Sequence, residues 1–175
     1  EAEAVYFHTW LTDAIVRSEV VDGAALYPEA GDATVMQRVN AEFAEIDGFE
    51  VGLRMGSWAG FSGFADVAWL QSDVTRSDGS VEPGRRTPPL QGRAGLRWAG
   101  GESGILVTAQ TRWAAAQTRL SSGDRKDLRI CADPSQPWTS LGEACEGTPG
   151  WATVDLKAGI SPRPGMRVEA SGLNL

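Results

Sequence analysis

The chain has 175 residues, 42% of them hydrophobic, and a net charge of −7. This acidity argues against a nucleic-acid partner, which would normally require a basic patch. No apolar run approaches the about 18 residues that a transmembrane helix needs, so a closed β-barrel is the only way for this sequence to span a bilayer.

The first predicted element is a strand from Glu3 to Leu11, whose bulky residues occupy both faces. Its His8 is the only histidine of the sequence. We expect His8 to be a structural or rim residue rather than a ligand or a base. The pattern continues briefly from Ala14 to Val21. The letters GAALYPEAGDAT then predict an exposed loop, because Gly, Pro and Asp favour turns.

The stretch from Val35 to Met55 is predicted to be one long strand, because its residues sort onto two faces with a period of two. At about 3.3 Å per residue it would be roughly 70 Å long, whereas soluble strands usually have about 5–6 residues. A strand that crosses a membrane with about 9–11 residues and continues into water accounts for this length. We expect lipid contact from about Ile46 to Met55.

Five further segments alternate in the same way: Phe61–Asp73, Pro88–Trp98, Ile105–Trp113, Trp151–Ile160 and Met166–Ser171. The sequence therefore predicts an all-β, antiparallel up-and-down meander of about seven strands. The residues expected to face outward are Leu90, Ala94, Leu96, Val154, Leu156 and Val168. Those expected on the concave side are Arg93, Arg97, Asp155 and Glu169.

The connections alternate in length, as they do in outer-membrane barrels. GSWAG, AGGES and SPRPG are short, whereas the segments near 13–34, 74–87 and 117–148 are long. Trp58 and Trp98 lie beside short connections and Trp69 and Trp113 lie toward long ones, as two aromatic girdles would. Isolated aromatic residues in a soluble β-sandwich are the alternative for any single strand. The pattern across seven strands favours the barrel.

The third long connection contains both cysteines, Cys131 and Cys145. We expect a disulfide between them and an oxidising compartment around them. A metal pair or two free thiols are the alternatives, but no histidine lies nearby and the CxxC spacing is missing.

Five segments carry a family resemblance: YFHTWLTDAIVR, RVNAEFAEIDGFEVGL, SSGDRKDLR, GTPGW and the closing GLNL. With them the chain resembles the C-terminal part of the barrel of a TonB-dependent outer-membrane receptor, over essentially its whole length. The resemblance implies that residues 1–175 are a single partial domain of a large transmembrane β-barrel of about 22 strands. The plug and the final strand are expected to lie outside this sequence.

The function implied by the resemblance is TonB-coupled uptake of a scarce nutrient, such as a ferric siderophore, across the outer membrane of a Gram-negative bacterium. The implied partners are outer-membrane lipid, the receptor's own N-terminal plug domain, TonB through the N-terminal region, and an iron–siderophore or similar ligand. Enzymatic activity and cofactors are not expected, because the sequence offers no nucleophile–base pair, metal-ligand cluster or phosphate-binding glycine loop.

The candidate lumen-lining residues are Gln91, Arg93, Arg97, Gln110 and Arg112. They could meet an anionic substrate or the plug, or they could solvate the wall and pair with Asp66 or Asp155. Two other protein classes fit parts of the pattern. One is a smaller structural or adhesive outer-membrane barrel of about eight strands, and the other is a soluble secreted β-sandwich or lectin-like binding domain.

Overall fold

The computed structural model describes residues 1–13, 15–20, 22–30, 35–40, 43–101, 104–133, 135, 141–142, 145–163 and 165–175. Within these ranges the strands are β1 Ala2–Thr12, β2 Ile15–Glu19, β3 Met36–Asn40, β4 Phe43–Trp58, β5 Phe61–Thr75, β6 Val81–Pro83, β7 Gln91–Ala99, β8 Ile105–Ala114, β9 Trp151–Arg163 and β10 Met166–Gly172. The helices are short: α1 Gly23–Leu26, α2 Ser122–Arg125 and α3 Leu128–Cys131, with a 3₁₀ turn at Pro28–Ala30.

Seven long strands form one antiparallel sheet in the order β1-β4-β5-β7-β8-β9-β10, with β6 added beside β5. Each long strand of this sheet pairs with the next one along the chain. The predicted antiparallel meander is thereby confirmed. Strands β1 and β10 remain at the two edges, so the sheet does not close on itself.

The first long connection contains a second antiparallel ladder, β2–β3, which extends the β1–β4 hairpin. Thr12 pairs with Phe43, and Ile15 pairs with Asn40, a step of three residues on both sides, so the two ladders keep one register. The predicted strand from Val35 to Met55 is correspondingly divided into β3 and β4, and residues 41–42 between them lie outside the described residues.

Strand β4 also runs three residues further than predicted. Only Ala59 and Gly60 separate it from β5, and both have positive φ angles, 50° and 84°, as a two-residue hairpin turn requires. The ladder contains a bulge between Met55 and Trp58. Because the bulge adds one residue, Trp58 lies opposite Phe61 on the apolar face instead of pointing to the polar one.

Apolar side chains cover one face of this sheet and remain exposed there. The large outward residues Leu53, Leu96, Val154, Leu156 and Val168 are each between 41% and 51% exposed. In the part of the chain that the structure describes, the buried apolar residues are only Ala44, Ala114, Leu120 and Cys131. A soluble β-sandwich buries its apolar face in a core, so this arrangement instead fits a wall whose apolar face contacts lipid.

The predicted division of the two faces is confirmed within the strands. Arg93 lies opposite Asp66 and Arg112, whereas Leu96 lies opposite Gly63 and Ala109, on the other side of β7. The start of β7 differs from the prediction, because the strand begins at Gln91 and Leu90 precedes it.

Aromatic side chains mark two levels on the apolar face. At one level the rings of Phe49 and Trp69 stack with centroids 5.6 Å apart, and at the other the centroids of Phe61 and Trp98 are 6.4 Å apart. Residues 61 to 69 of β5 span about 26 Å along the strand, or about 20 Å across a membrane at the usual tilt. The two levels therefore bound an apolar band of membrane height.

Three aromatic rings lie over glycines directly opposite them on neighbouring strands: Phe7 over Gly48, Phe64 over Gly95, and Trp113 over Gly92. A Cβ atom on these glycines would come within 2.2, 2.5 and 2.7 Å of the rings. Each ring therefore occupies space that only a glycine leaves free.

No helix among the described residues is long and apolar enough to cross a membrane.

Candidate functional site on the polar concave face

The polar face is centred on the carboxylate of Asp66 in β5. Arg54 Nη1 donates to Asp66 Oδ1 at 2.6 Å, and Arg93 Nε donates to Asp66 Oδ2 at 2.8 Å. The register of β4, β5 and β7 creates this contact, because Gly52, Asp66 and Arg93 stand opposite one another. Gly52 leaves the space between the strands open, and Arg54 reaches in from two residues further along β4.

The aromatic ring of Phe64 lies beneath both guanidinium groups. Its centroid is 5.6 Å from Arg54 Cζ and 5.4 Å from Arg93 Cζ, within the range of a cation–π interaction. Arg93 was recognisable from the sequence as a candidate, whereas Arg54 and Phe64 were not. The period-two pattern places both on the polar face, but it does not show that they lie beside one carboxylate.

A second carboxylate, Asp155 of β9, organises the neighbouring part of the face. It accepts hydrogen bonds from Gln110 Nε2 at 3.0 Å, Arg112 Nη2 at 3.3 Å and the Asn174 backbone N–H at 2.9 Å. The side chain is nearly buried, because Asp155 as a residue is only 7% exposed. Arg93 thus pairs with Asp66, and Arg112 pairs with Asp155. This is the second of the two alternatives that the sequence left open, in which these residues solvate the wall and pair with its carboxylates.

The remaining candidates are more open. Arg97 and Gln91 are exposed, and within the described ranges neither side chain forms a hydrogen bond or an ion pair. The register places Arg97 opposite Ser62 and Thr108, on the same face as Asp66 and Asp155. All five sequence-predicted lumen residues therefore lie on one face, three of them bound to carboxylates and two of them without a side-chain partner among the described residues.

A cavity of about 660 Å³ opens on this face. Its charged lining comprises Glu1, Glu3, Glu50, Arg54, Asp66, Arg93 and Arg112, and its aromatic lining comprises Trp113 and Trp151. Cationic donors and carboxylate acceptors both line it, so it can bind a polar or charged partner through several hydrogen bonds. The cavity also identifies the polar face as the concave one.

The two later long connections are joined to each other above the strands. Asp124, which is 2% exposed, accepts from Ser121 N at 3.1 Å and Oγ at 2.8 Å, and from the Arg86 backbone N–H at 3.2 Å. Asp127 forms ion pairs with Arg85, Arg86 and Arg129 at 3.4, 2.7 and 2.8 Å. These two carboxylates hold the connection after β8 against the one after β5.

Cys131 and Cys145 form a disulfide within the connection after β8, with Cα atoms 5.1 Å apart. Gln117 and Thr148 pair at the base of this connection. The bond therefore closes a small loop inside a segment that is already anchored at its base and docked through Asp124.

Acid should loosen the contact between the two connections at Glu82. Burial alone would raise the pKa of Glu82, but hydrogen bonds from Ser122 and Arg76 outweigh burial and hold the pKa below its ordinary value. Since the folded pKa is depressed, the stabilisation is present above the ordinary value of 4.5 and is lost as the pH falls through the lower pKa of the folded state. Hydrogen exchange at the Ser122 amide, which donates to Glu82 at 3.2 Å, should show this loss between pH 7 and about pH 2.5.

Glu82→Gln is the matched control, because it removes the titrating group and should make Ser122 protection independent of pH. Equal protection of the parent at both pH values, after correction for intrinsic exchange, would contradict the assignment.

Solved structures share this fold. The copper transporter OprC aligns with a TM-score of 0.65 and 18% identity, over 99% of this chain and 22% of that chain. The chain therefore spans less than a quarter of the length of this relative, and at this identity the likeness shows the fold alone. No curated protein matches the sequence significantly.

The family model described as TonB dependent receptor-like, beta-barrel matches residues 1–175. Proteins of this family are transporters of the Gram-negative outer membrane, not enzymes. The apolar convex face, the two aromatic levels and the polar concave face fit that membership. The chain belongs to the TonB-dependent receptor β-barrel family.

Proposed function

We propose that this chain is a wall segment of a receptor that imports a scarce nutrient across the outer membrane with energy supplied through TonB. The observation that carries the proposal is the charged concave face, where Arg54, Asp66 and Arg93 line an open cavity behind an apolar convex face. A closed barrel built from such walls encloses a polar lumen. The partners proposed with it are outer-membrane lipid, an N-terminal plug domain and TonB.

The proposed cargo is an iron–siderophore complex or a similar anionic chelate. Arg97 supports this choice, because it lies on the same face of the sheet as Asp66 and, in the described part of the chain, forms no ion pair with a carboxylate. Arg93 and Arg112 keep further donors after pairing with Asp66 and Asp155, since a guanidinium has five N–H groups. Copper ion is the alternative cargo, since the similar structure OprC is a copper transporter.

Uptake measured in cells tests the function and its cargo together. A strain that lacks the receptor gene is complemented with the parent gene, and uptake of labelled ferric siderophores and of copper is measured with and without functional TonB. We expect the parent to restore TonB-dependent uptake of at least one ferric siderophore. Uptake of copper alone would replace the cargo, and unchanged uptake of every probe after deletion would overturn the function.

The luminal contribution is tested with Arg97→Glu. Its charge reversal should slow uptake of an anionic chelate by about twofold to fivefold, which corresponds to about 0.5–1 kcal/mol for an exposed charge contact. Val168→Leu on the convex face is the control and should leave uptake unchanged. Equal uptake by both variants would show that Arg97 does not meet the cargo.

A further inference from the structure

His8, Glu45 and Asp47 form a cluster on the convex face, which we call the His8 cluster. His8 of β1 stands opposite Asp47 of β4, next to the pair formed by Tyr6 and Phe49. Phe49 stacks on Trp69 at the aromatic level nearer the long connections. The His8 cluster therefore lies just beyond the apolar band, where the wall meets the polar zone of the membrane.

Hydrogen bonds fix the orientation of the imidazole ring. His8 Nδ1 is 2.6 Å from Asp47 Oδ1, and the Tyr6 hydroxyl donates to the same oxygen at 2.7 Å. A carboxylate only accepts hydrogen bonds, so the close contact requires a proton on Nδ1. In a neutral ring the lone pair then belongs to Nε2.

The Nε2 atom has no suitable partner among the described residues. It is shielded from solvent and forms no hydrogen bond, and the atom nearest to it in the cluster is Glu45 Oε1, at 3.4 Å. A neutral imidazole nitrogen and a carboxylate oxygen are both electron-pair donors, so the pair requires a positive charge between them. The His8 side chain is 18% exposed and Glu45 is 40% exposed, which leaves the Glu45 side open to an incoming ion.

The distance between these atoms fits two ligands of one metal ion. With bonds of about 2.1 Å and tetrahedral angles, the nitrogen and oxygen ligands of Zn²⁺ lie about 3.4 Å apart. The ligand atoms of all three residues lie within 4.8 Å of one another. Asp47 would then act as the carboxylate that receives the other ring N–H of a metal-bound histidine, an arrangement that orients the ring and strengthens the ligand.

We propose that the His8 cluster is a binding site for a divalent transition-metal ion such as Zn²⁺ or Cu²⁺. His8 Nε2 and Glu45 Oε1 are the protein ligands, Asp47 and Tyr6 orient His8, and water completes the coordination. Imidazole nitrogen combined with carboxylate oxygen suits these ions. The site faces away from the lumen, so it holds an ion at the outer surface of the wall and does not depend on the cargo of the receptor.

Copper titration of the receptor that carries this chain tests the site. The protein is purified in detergent, treated with a chelator and titrated with Cu²⁺, and electron paramagnetic resonance reports the nitrogen ligands. We expect the parent to bind one equivalent more than His8→Gln, with the signature of a single imidazole nitrogen. Glu45→Gln and Asp47→Asn should each lower the affinity for this additional copper ion by about 10-fold to 100-fold.

Glu169→Gln is the matched control, because Glu169 does not line the cavity and lies on β10, at the opposite edge of the sheet from His8. It should bind copper as the parent does. Heat-modifiable migration in electrophoresis verifies that each variant retains a folded barrel, and Glu45→Gln keeps the test decisive if His8→Gln does not fold. Equal copper binding by the parent, His8→Gln and Glu45→Gln would overturn the proposal.

Discussion

Replacing Leu53 by Arg should lower the free energy of unfolding of the barrel by about 2–4 kcal/mol, the cost of a cation at the middle of the lipid-facing band. Leu53 pairs with Ala2 and Ala65 on the apolar face, halfway between the two aromatic levels. Its side chain is 49% exposed, so the loss would come from contact with lipid and not from a disrupted protein core. Urea titration of the receptor folded in lipid vesicles measures the change.

Gln91→Arg is the control for this experiment. Gln91 is exposed on the concave face opposite Ala68 and Ala114, and its side chain forms no hydrogen bond or ion pair within the described residues. The free energy of unfolding should change by about 0.5 kcal/mol at most, as for an ordinary surface substitution. A similar loss in both variants would mean that Leu53 does not face lipid.

Removal of the disulfide should loosen the connection after β8 and leave the sheet folded. Cys131 and Cys145 are 14 residues apart, and closing a loop of this size restricts the open chain by about 3 kcal/mol in the chain-entropy estimate. The strands do not depend on this bond, because their ladders form between β4, β5, β7, β8 and β9. In Cys131→Ser/Cys145→Ser, protease cleavage between residues 131 and 145 should become much faster while the heat-modifiable migration of the barrel persists.

Thiol labelling of intact cells tests the position of the same bond. A membrane-impermeant reagent should label the parent only after an impermeant reductant has been added. Labelling without reduction would show free thiols, and no labelling under either condition would show that the loop is not at the cell surface. The double serine variant gives the background signal.

The strands could be predicted from the sequence because each one carries its own signal. Leu96 and Arg97 alternate in a period of two, and so do Val154 and Asp155, because one face must satisfy lipid and the other water. The same constraint made the lumen candidates recognisable as a face. Strand ends were predicted less well, because local features override the alternation there. Leu90 lies in the connection before β7, and the bulge in β4 changes the face on which Trp58 lies.

The clusters could not be predicted because they depend on pairing between distant parts of the chain. Arg54 and Arg93 meet at Asp66 only through the ladders on both sides of β5. His8 meets Asp47 across 39 residues of sequence, through the β1–β4 register. A lone histidine on a strand with bulky residues on both faces carries no sign of such a contact. The docking of the long connections at Asp124 has no periodic signal either.

The rings that lie over glycines disfavour an error in strand register that the alternation of polar and apolar faces does not prevent. If one strand slips past its neighbour by two residues during assembly, every side chain still points to its proper side, so lipid and water both accept the faulty pairing. Such a slip would, however, place Phe64 opposite Arg93 or Arg97 instead of Gly95, and Phe7 opposite Ile46 or Glu50 instead of Gly48. These pairs occur in three of the ladders, together with Trp113 and Gly92. Each ring fits only over the glycine that faces it in the native register. These pairs therefore favour correct strand pairing through the shape of the residues, independently of their polarity.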